Sequence, residues 1–394
     1  MWNSAPSREQ HDLIQLTRDF MRREVVPRAA ELDSRPSPEE CFSWEMVERA
    51  SAVGLRTLAL EEAYGGAGAD FLTTAMVIEE MAKGDMGFAV VFAQTWKLVQ
   101  TLQLAGTAEQ KHRFLPAFRD DPRYLLAITL TEPDTASDYI VPFAEARYRT
   151  TATRAVGGWR LSGFKHFISN GNRAALYIVF AQTDPSRPLT EGSTAFLVPR
   201  GAPGLSVGRV HDKLGERLAN NAEVIFKDCF VPDGDVLGEV DGGYTVQSLF
   251  FPASNAYAAA TVLGAAEAAH ERATLWARQR VQGGRPIIGH DSVVSDLAEM
   301  RMWLDATRLY VYHAAWAGGH REAWDGTLGA LPKVLASQVA WQVVTRAMEI
   351  HGGYGFMKET GMEKLLRDVA AFLHSDGVNR SLLLKAGRFL REGG

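Results

Sequence analysis

Ala175-Leu176-Tyr177-Ile178-Val179-Phe180-Ala181 is a run of seven apolar residues, closed downstream by Thr183-Asp184-Pro185. It is too short for a typical helix and rich in aromatic and β-branched residues, so it reads as a buried strand. Two further runs share its character, Thr194-Ala195-Phe196-Leu197-Val198 and Ala222-Glu223-Val224-Ile225-Phe226. Gly157-Gly158 sits between two strand-like segments as a hairpin turn would. A compact β domain, a barrel or a sandwich, is therefore expected between about residues 126 and 240.

The pattern changes on both sides. Leu13, Leu16 and Phe20 recur at helical spacing until Pro27 interrupts them, and Met76 and Met81 begin another apolar stripe after the break Gly65-Gly66-Ala67-Gly68. Downstream, Val293, Leu297, Met300 and Leu304 step by four, three and four, and residues 331–350 are apolar and alanine-rich enough to be a buried helix. The expectation is an α+β multidomain chain: an N-terminal helical domain over 1–125, a middle β-barrel domain over 126–240 and a C-terminal four-helix bundle over 241–394. Strands that do not alternate with helices exclude a doubly wound sheet, and no GxGxxG opens a helix after a strand. The glycine break lacks a following Lys-Ser/Thr pair, so it reads as a bend rather than a phosphate loop.

Composition narrows the class of partner. A net charge of −5 with interspersed signs gives no reason to expect nucleic acid, and no run of eighteen apolar residues is present to span a bilayer. Cys41 and Cys229 are too few and too isolated for a disulfide framework or a metal cluster, so no metal is expected. The start, Met1-Trp2-Asn3-Ser4, lacks a basic-then-apolar leader, and a cytoplasmic setting is expected.

Chemistry concentrates near the C-terminus, in Arg367-Asp368-Val369-Ala370-Ala371-Phe372-Leu373-His374-Ser375-Asp376-Gly377-Val378-Asn379-Arg380. An acid followed by glycine between two helix-like segments sets a carboxylate in a turn and leaves backbone amides open, a base beside an oxyanion site. The plain alternative is a surface Asp-Gly turn. Four upstream stretches bear on the choice. Leu130-Thr131-Glu132-Pro133-Asp134-Thr135-Ala136-Ser137-Asp138 gathers hydroxyls in a proline-started turn; Lys165-His166-Phe167-Ile168-Ser169-Asn170-Gly171 sets an aromatic beside a hydroxyl. Arg280-Val281-Gln282-Gly283-Gly284-Arg285-Pro286-Ile287-Ile288-Gly289-His290-Asp291 offers an arginine fork suited to a pyrophosphate. Glu349-Ile350-His351-Gly352-Gly353-Tyr354-Gly355-Phe356 ends a long helix in glycines. Taken singly, they read as a capped loop, a core strand, a solvated turn and a helix cap.

Together these stretches resemble the flavin-dependent acyl-CoA dehydrogenases along almost the whole chain, with supporting similarity at residues 60–68, 106–111 and 226–232. The resemblance implies FAD, held by Ile128, Leu130, Thr131, Ser137, Phe167, Ile168, Ser169, Arg280, Asp291, Glu349, Gly352, Gly353 and Val378. Phe167 is the implied wall of the isoalloxazine, Ser169 its partner near N5, and Arg280 reaches the cofactor of a neighbouring subunit, which implies a homodimer or homotetramer. Departures from the family pattern stand at Asp134 and Ala136 for glycines, Gly283 for an aromatic, and Asp291 and Glu349 for glutamines.

By the same resemblance Asp376 takes the place of the usual catalytic glutamate, with Ser137, Asn255 and Gly377 on the substrate. The implied reaction is removal of the α-proton of an acyl thioester while the β-hydrogen leaves as hydride to flavin N5, base and flavin flanking the Cα–Cβ bond. The amide of Asp376 helps to polarise the thioester carbonyl. Lipid metabolism and an electron-transfer flavoprotein as acceptor follow from the family. Asn255 stands where arginine is common, and the stretch Pro252-Ala253-Ser254-Asn255-Ala256-Tyr257 carries no acid to serve as an alternative base. Other readings stay open: an acyl-carrier-protein thioester instead of the coenzyme A thioester, an oxidase of the nitroalkane type with an aspartate base, or a non-catalytic flavoprotein.

Overall fold

Ser7 opens the first helix with a reciprocal cap, its hydroxyl accepting from the Gln10 amide while the Gln10 side chain accepts from the Ser7 amide. The computed structural model describes residues 5–392; Met1-Trp2-Asn3-Ser4, read above as lacking a leader pattern, lies outside them. Six helices come first: α1 Arg8–Phe20, α2 Val26–Asp33, α3 Trp44–Ala52, α4 Phe71–Gly84, α5 Met86–Ala105 and α6 Ala108–Asp120. Pro27 does not end the helical segment, contrary to the expectation. A π-helical turn over Met21–Val25 joins α1 to α2, and Pro27 falls in the first turn of α2 just past it, the helix position where proline is best tolerated.

The strands are β1 Leu126–Thr129, β2 Thr151–Ala155, β3 Gly158–Ser169, β4 Leu176–Gln182, β5 Ser193–Pro199 after the short α7 Leu189–Gly192, β6 Leu205–Val210, β7 Asn221–Pro232 and β8 Val236–Leu237. Their order is β6-β7-β3-β2-β4-β5-β8, with β1 parallel to β4. β2 meets β4 only at Thr151 and Gln182, so the sheet folds there into two halves. Their facing sides bury Leu161, Tyr177, Val179, Phe196, Val224 and Phe226. The edge strands β6 and β8 are not hydrogen-bonded to each other among the described residues, so the middle β domain closes by packing rather than by a continuous ladder.

The remaining elements are α8 Gly243–Gln279, a small hairpin of β9 Val281–Gln282 and β10 Arg285–Pro286, α9 Asp291–Gly318, α10 Leu331–His351, α11 Gly353–Phe356, α12 Met362–Ala371 and α13 Asn379–Glu392. α8 is long and apolar enough to cross a membrane, but 83% of its most apolar stretch is buried inside the protein, the state of a core helix. One apolar core runs from α4 and α5 through α8 into α9 and α10, joining Phe92, Trp96, Leu263, Met300 and Val343. Gly264 permits the close crossing of α8 on α4, since a Cβ there would lie 2.2 Å from the Glu79 carbonyl oxygen. A second core joins α5 and α6 to β1, β4 and β5 through Leu98, Phe114, Ile178 and Leu197. Where this sheet–helix seam opens, a cavity remains.

Candidate active site

The cavity, about 360 Å³, has sheet residues on one side and helix residues on the other. Ile128, Leu130, Thr131, Ser137, Phe167, Ile168 and Ser169, which the sequence reading assigned to the cofactor, all line the sheet side of this cavity. The loop after β1 is held from beneath: Glu132 accepts from the amides of Arg149 and Thr150 and pairs with Lys165 at 2.8 Å, both groups fully buried. Burial opposes charge on Glu132, yet Lys165 and those donors win and hold its carboxyl below the ordinary range. A register shift in β3 between Lys165 and Ile168, with Phe167 at φ 57°, turns the Phe167 ring out of the sheet, where it is 56% exposed. Ser169 Oγ accepts from Asn221 at 3.1 Å, and the Thr131 hydroxyl bonds the Tyr139 hydroxyl at 3.1 Å.

Asp376, Gly377 and Val378 line the opposite side in the turn between α12 and α13. Asp376 sits at φ 48° and Gly377 at φ 97°; the left-handed region admits aspartate more readily than most side chains. The φ of Gly377 favours glycine, and a Cβ there would also crowd Leu382 at 3.0 Å and Ile140 at 3.1 Å. Asp376 Oδ1 accepts from Lys97 Nζ at 3.2 Å and from Ser254 Oγ at 3.2 Å, and Lys97 also donates to Ser254 at 3.3 Å. Lys333 Nζ holds the same turn by its backbone, donating to the Gly377 carbonyl at 2.7 Å and to Asn379 Oδ1 at 3.0 Å. Burial pushes the Lys333 ammonium down to about 8, against the pull of Asp376. A carboxylate on a fixed turn thus faces a sheet wall bearing an exposed aromatic ring across an open slot.

The other expected residues are placed elsewhere. Arg280, Glu349, Gly352 and Gly353 line a second cavity of about 480 Å³ at the end of α10, which shares no lining residue with the first. Gly352, at φ 60°, and Gly353 have nothing within 4 Å of a notional Cβ, and the Arg280 guanidinium lies 5.5 Å from the centre of the Tyr354 ring. Glu349 pairs with Arg346 at 3.2 Å, which balances its charge. Asp291 is the exposed first residue of α9 and lines neither cavity. Asn255, expected on the substrate, is buried and donates to the Gly329 carbonyl; one step earlier on the helix, Ser254 faces the slot instead.

Lys97, Ser254 and Lys333 escaped the sequence reading. For Lys97 a signal was present: it is the one charged residue in the twenty of α5, and a lone charge inside an apolar helix is seldom buried without a partner. Lys333 stands in the first turn of α10, where a cation is disfavoured by the helix dipole, a weaker cue of the same kind.

Comparison with known proteins gives three family matches in chain order. The model described as "Acyl-CoA dehydrogenase, N-terminal domain" matches residues 7–120, the middle-domain model residues 127–229, and the C-terminal-domain model residues 241–390. The "Acyl-CoA dehydrogenase" of Bacillus subtilis (strain 168) is 34% identical over 98% of this chain and 99% of that protein. The solved structure of butyryl-CoA dehydrogenase from Megasphaera elsdenii is similar with a TM-score of 0.92 at 32% identity, covering 99% of this chain and 100% of that one. An FAD complex of PigA is similar with a TM-score of 0.89 at 26% identity, each chain covered in full.

Proposed function

Because this chain belongs to the acyl-CoA dehydrogenase family, we propose that Asp376 is the base that takes the α-proton of an acyl thioester held in the slot between the sheet and the helices. The protein is an FAD-dependent oxidoreductase. The residues fit that cofactor. Phe167 offers an aromatic face turned out of the sheet, Ser169 and Thr131 offer hydroxyls beside it, and the open glycines Gly352 and Gly353 near Arg280 suit a diphosphate. When bound, the flavin accepts the β-hydrogen as hydride.

The observation that carries the reading is the position of the Asp376 carboxylate, on the cavity wall across from Phe167 and fixed by Lys97 and Ser254. The amides of Asp376 and Gly377 enter no backbone hydrogen bond among the described residues, so both are free to donate to a thioester carbonyl as charge develops on it. Ser137, which accepts from Ser381 at 3.0 Å, lines the same slot from the sheet side. The substrate we assign is a coenzyme A thioester, and the acceptor an electron-transfer flavoprotein.

The division of the cofactor residues between two cavities supports a homo-oligomer. In this reading the Arg280 end of one subunit completes the flavin site of the next. The test is anaerobic titration of the purified holoprotein with a panel of acyl thioesters, followed by loss of oxidised-flavin absorbance. Asp376→Asn is expected to keep its FAD and lose that bleaching. Bleaching retained in the variant defeats the assignment of the base.

A further inference from the structure

We propose that Lys97 makes this site selective for an acyl group carrying a second carboxylate, that is, the monothioester of a short diacid. The inference rests on the dehydrogenase reading and adds the substrate class to it. Lys97 lies midway along α5, with its side chain 6% exposed and its ammonium at the wall of the slot, 4.9 Å from the centre of the Phe250 ring. Among the described residues Asp376 is its one anionic partner. That partner is the group that must take up a proton.

Once Asp376 holds the α-proton it is neutral, and Lys97 is left as a buried ammonium with no anion beside it, only the Ser254 hydroxyl and the face of the Phe250 ring. An unpaired buried charge is strongly unfavourable, and a hydrocarbon chain against it offers no relief. A carboxylate on the acyl group does, because it supplies the counter-charge when Asp376 gives it up. The surroundings agree with a polar acyl end. Gln94 lines the slot one turn before Lys97, and its side-chain amide makes no hydrogen bond among the described residues.

Distance sets the length of the diacid. Cα approaches Asp376 to about 3 Å for proton transfer, and a carboxylate bonds an ammonium at about 2.8 Å. Lys97 Nζ is 3.2 Å from Asp376 Oδ1, so the second carboxylate must lie close to Cα along the chain. A separation of two or three carbon–carbon bonds, at about 1.5 Å each, lies within that reach, so a four- or five-carbon diacid fits the site. The chemistry is unchanged: the α C–H bond breaks with its proton going to Asp376, the β C–H bond breaks with its hydride going to the flavin, and the product is the α,β-unsaturated diacid thioester.

The experiment compares succinyl-CoA, glutaryl-CoA and butyryl-CoA as anaerobic reductants of the holoenzyme and of Lys97→Met. In the wild type at least one diacid thioester is expected to exceed butyryl-CoA in kcat/KM by on the order of a hundredfold, since a site built for a charged group rejects the analogue that lacks it. Lys97→Met is expected to erase that preference: loss of the Asp376 contact lowers the rate with all three thioesters, and loss of the counter-charge lowers kcat/KM for the preferred diacid by at least about tenfold more than for butyryl-CoA. Calorimetry on Asp376→Asn, which cannot turn over, gives a readout apart from activity: the preferred diacid thioester binds at least about tenfold more tightly than butyryl-CoA. Butyryl-CoA outpacing both diacids in the wild type overturns the inference and leaves the dehydrogenase reading intact. So does an equal loss on all three thioesters in Lys97→Met, which makes Lys97 a positioning residue for Asp376 alone. Failure of every thioester to reduce the bound flavin, with no diacid preference by calorimetry, removes both.

Discussion

Replacing Asp376 by glutamate, the residue that the sequence resemblance implies for this position, is expected to slow this enzyme rather than restore a faster one. The aspartate carboxylate is already met at 3.2 Å by both Lys97 and Ser254. One added methylene moves the carboxylate by about 1.5 Å, so it must pass those donors or fold back on itself. A folded-back side chain costs about 1 kcal/mol in rotamer strain. The residue sits at φ 48°, a region that favours aspartate several-fold, worth a further ~0.7 kcal/mol. Displacing a catalytic group by about 1 Å lowers the rate on the order of a hundredfold. The expected phenotype is therefore a fall in kcat of about 30- to 300-fold with little change in KM, full FAD content, and a stability loss of about 1–2 kcal/mol. Anaerobic stopped-flow measurement of flavin reduction with the best thioester gives the rate, and urea unfolding gives the stability. A glutamate variant that reduces its flavin as fast as the wild type would refute the claim that Lys97 and Ser254 frame a site for the shorter acid.

Three further substitutions test the surroundings. Arg280→Ala, at the cavity that shares no residue with the Asp376 slot, is expected to weaken FAD binding by on the order of 10- to 100-fold, the loss of one or two charge-assisted hydrogen bonds, with the fold retained by circular dichroism. Unchanged flavin retention on dialysis counts against the two-cavity reading. Lys165→Met leaves the buried Glu132 carboxylate without its ammonium and is expected to cost about 3–5 kcal/mol in urea unfolding. Because the folded protein holds Glu132 below its ordinary range, the contribution of this pair is present above about pH 4.3 and lost as pH falls further; a wild type whose stability is flat through acidification speaks against it. Burial raises Glu216 to about 7, so between about pH 4.3 and 7 the folded chain keeps a proton the unfolded chain gives up, and stability falls as pH rises. Glu216→Gln should gain on the wild type by about 2 kcal/mol at pH 8 and by little at pH 5; an equal difference at both pH values refutes the assignment.

The helices and strands were legible where burial is simple. Every residue of β4 is buried, so its apolar run is continuous, and α10 carries its apolar residues at helical spacing. Pro27 was misread because a π turn, which leaves no mark in apolar spacing, carries the helix to a position where proline is tolerated. The Asp376-Gly377 turn showed in the sequence as an acid and a glycine side by side. Asn255 failed for a reason of angle: consecutive helical residues point about 100° apart, so one step decides between the slot, where Ser254 faces, and the neighbouring Gly329 carbonyl, where Asn255 faces. Lys97, a single cation in the otherwise apolar α5, belongs to a pattern that periodicity counts as noise, and Lys333 is not singled out in α10, which also carries Arg346 and Glu349.

The turn that bears Asp376 is held from three helices distant in sequence: α5 supplies Lys97, α8 supplies Ser254 and α10 supplies Lys333. Two of these donors act on the carboxylate and one on the carbonyl of the next residue, so both the direction of the side chain and the path of the backbone are constrained. Left-handed geometry at a non-glycine residue such as Asp376 is unfavourable by itself and persists where surrounding contacts over-determine it. Leu382 and Ile140, packed against Gly377 from the other side, remove the space into which the turn would relax. A flexible carboxylate would have to be ordered at each turnover; Asp376, the proposed base, is already fixed by groups whose charge and position match an aspartate. On the proposed reading, the shorter acid belongs to a distinct arrangement of the site, one in which a buried ammonium on the slot wall would share the slot with the substrate and bear on which acyl groups enter it.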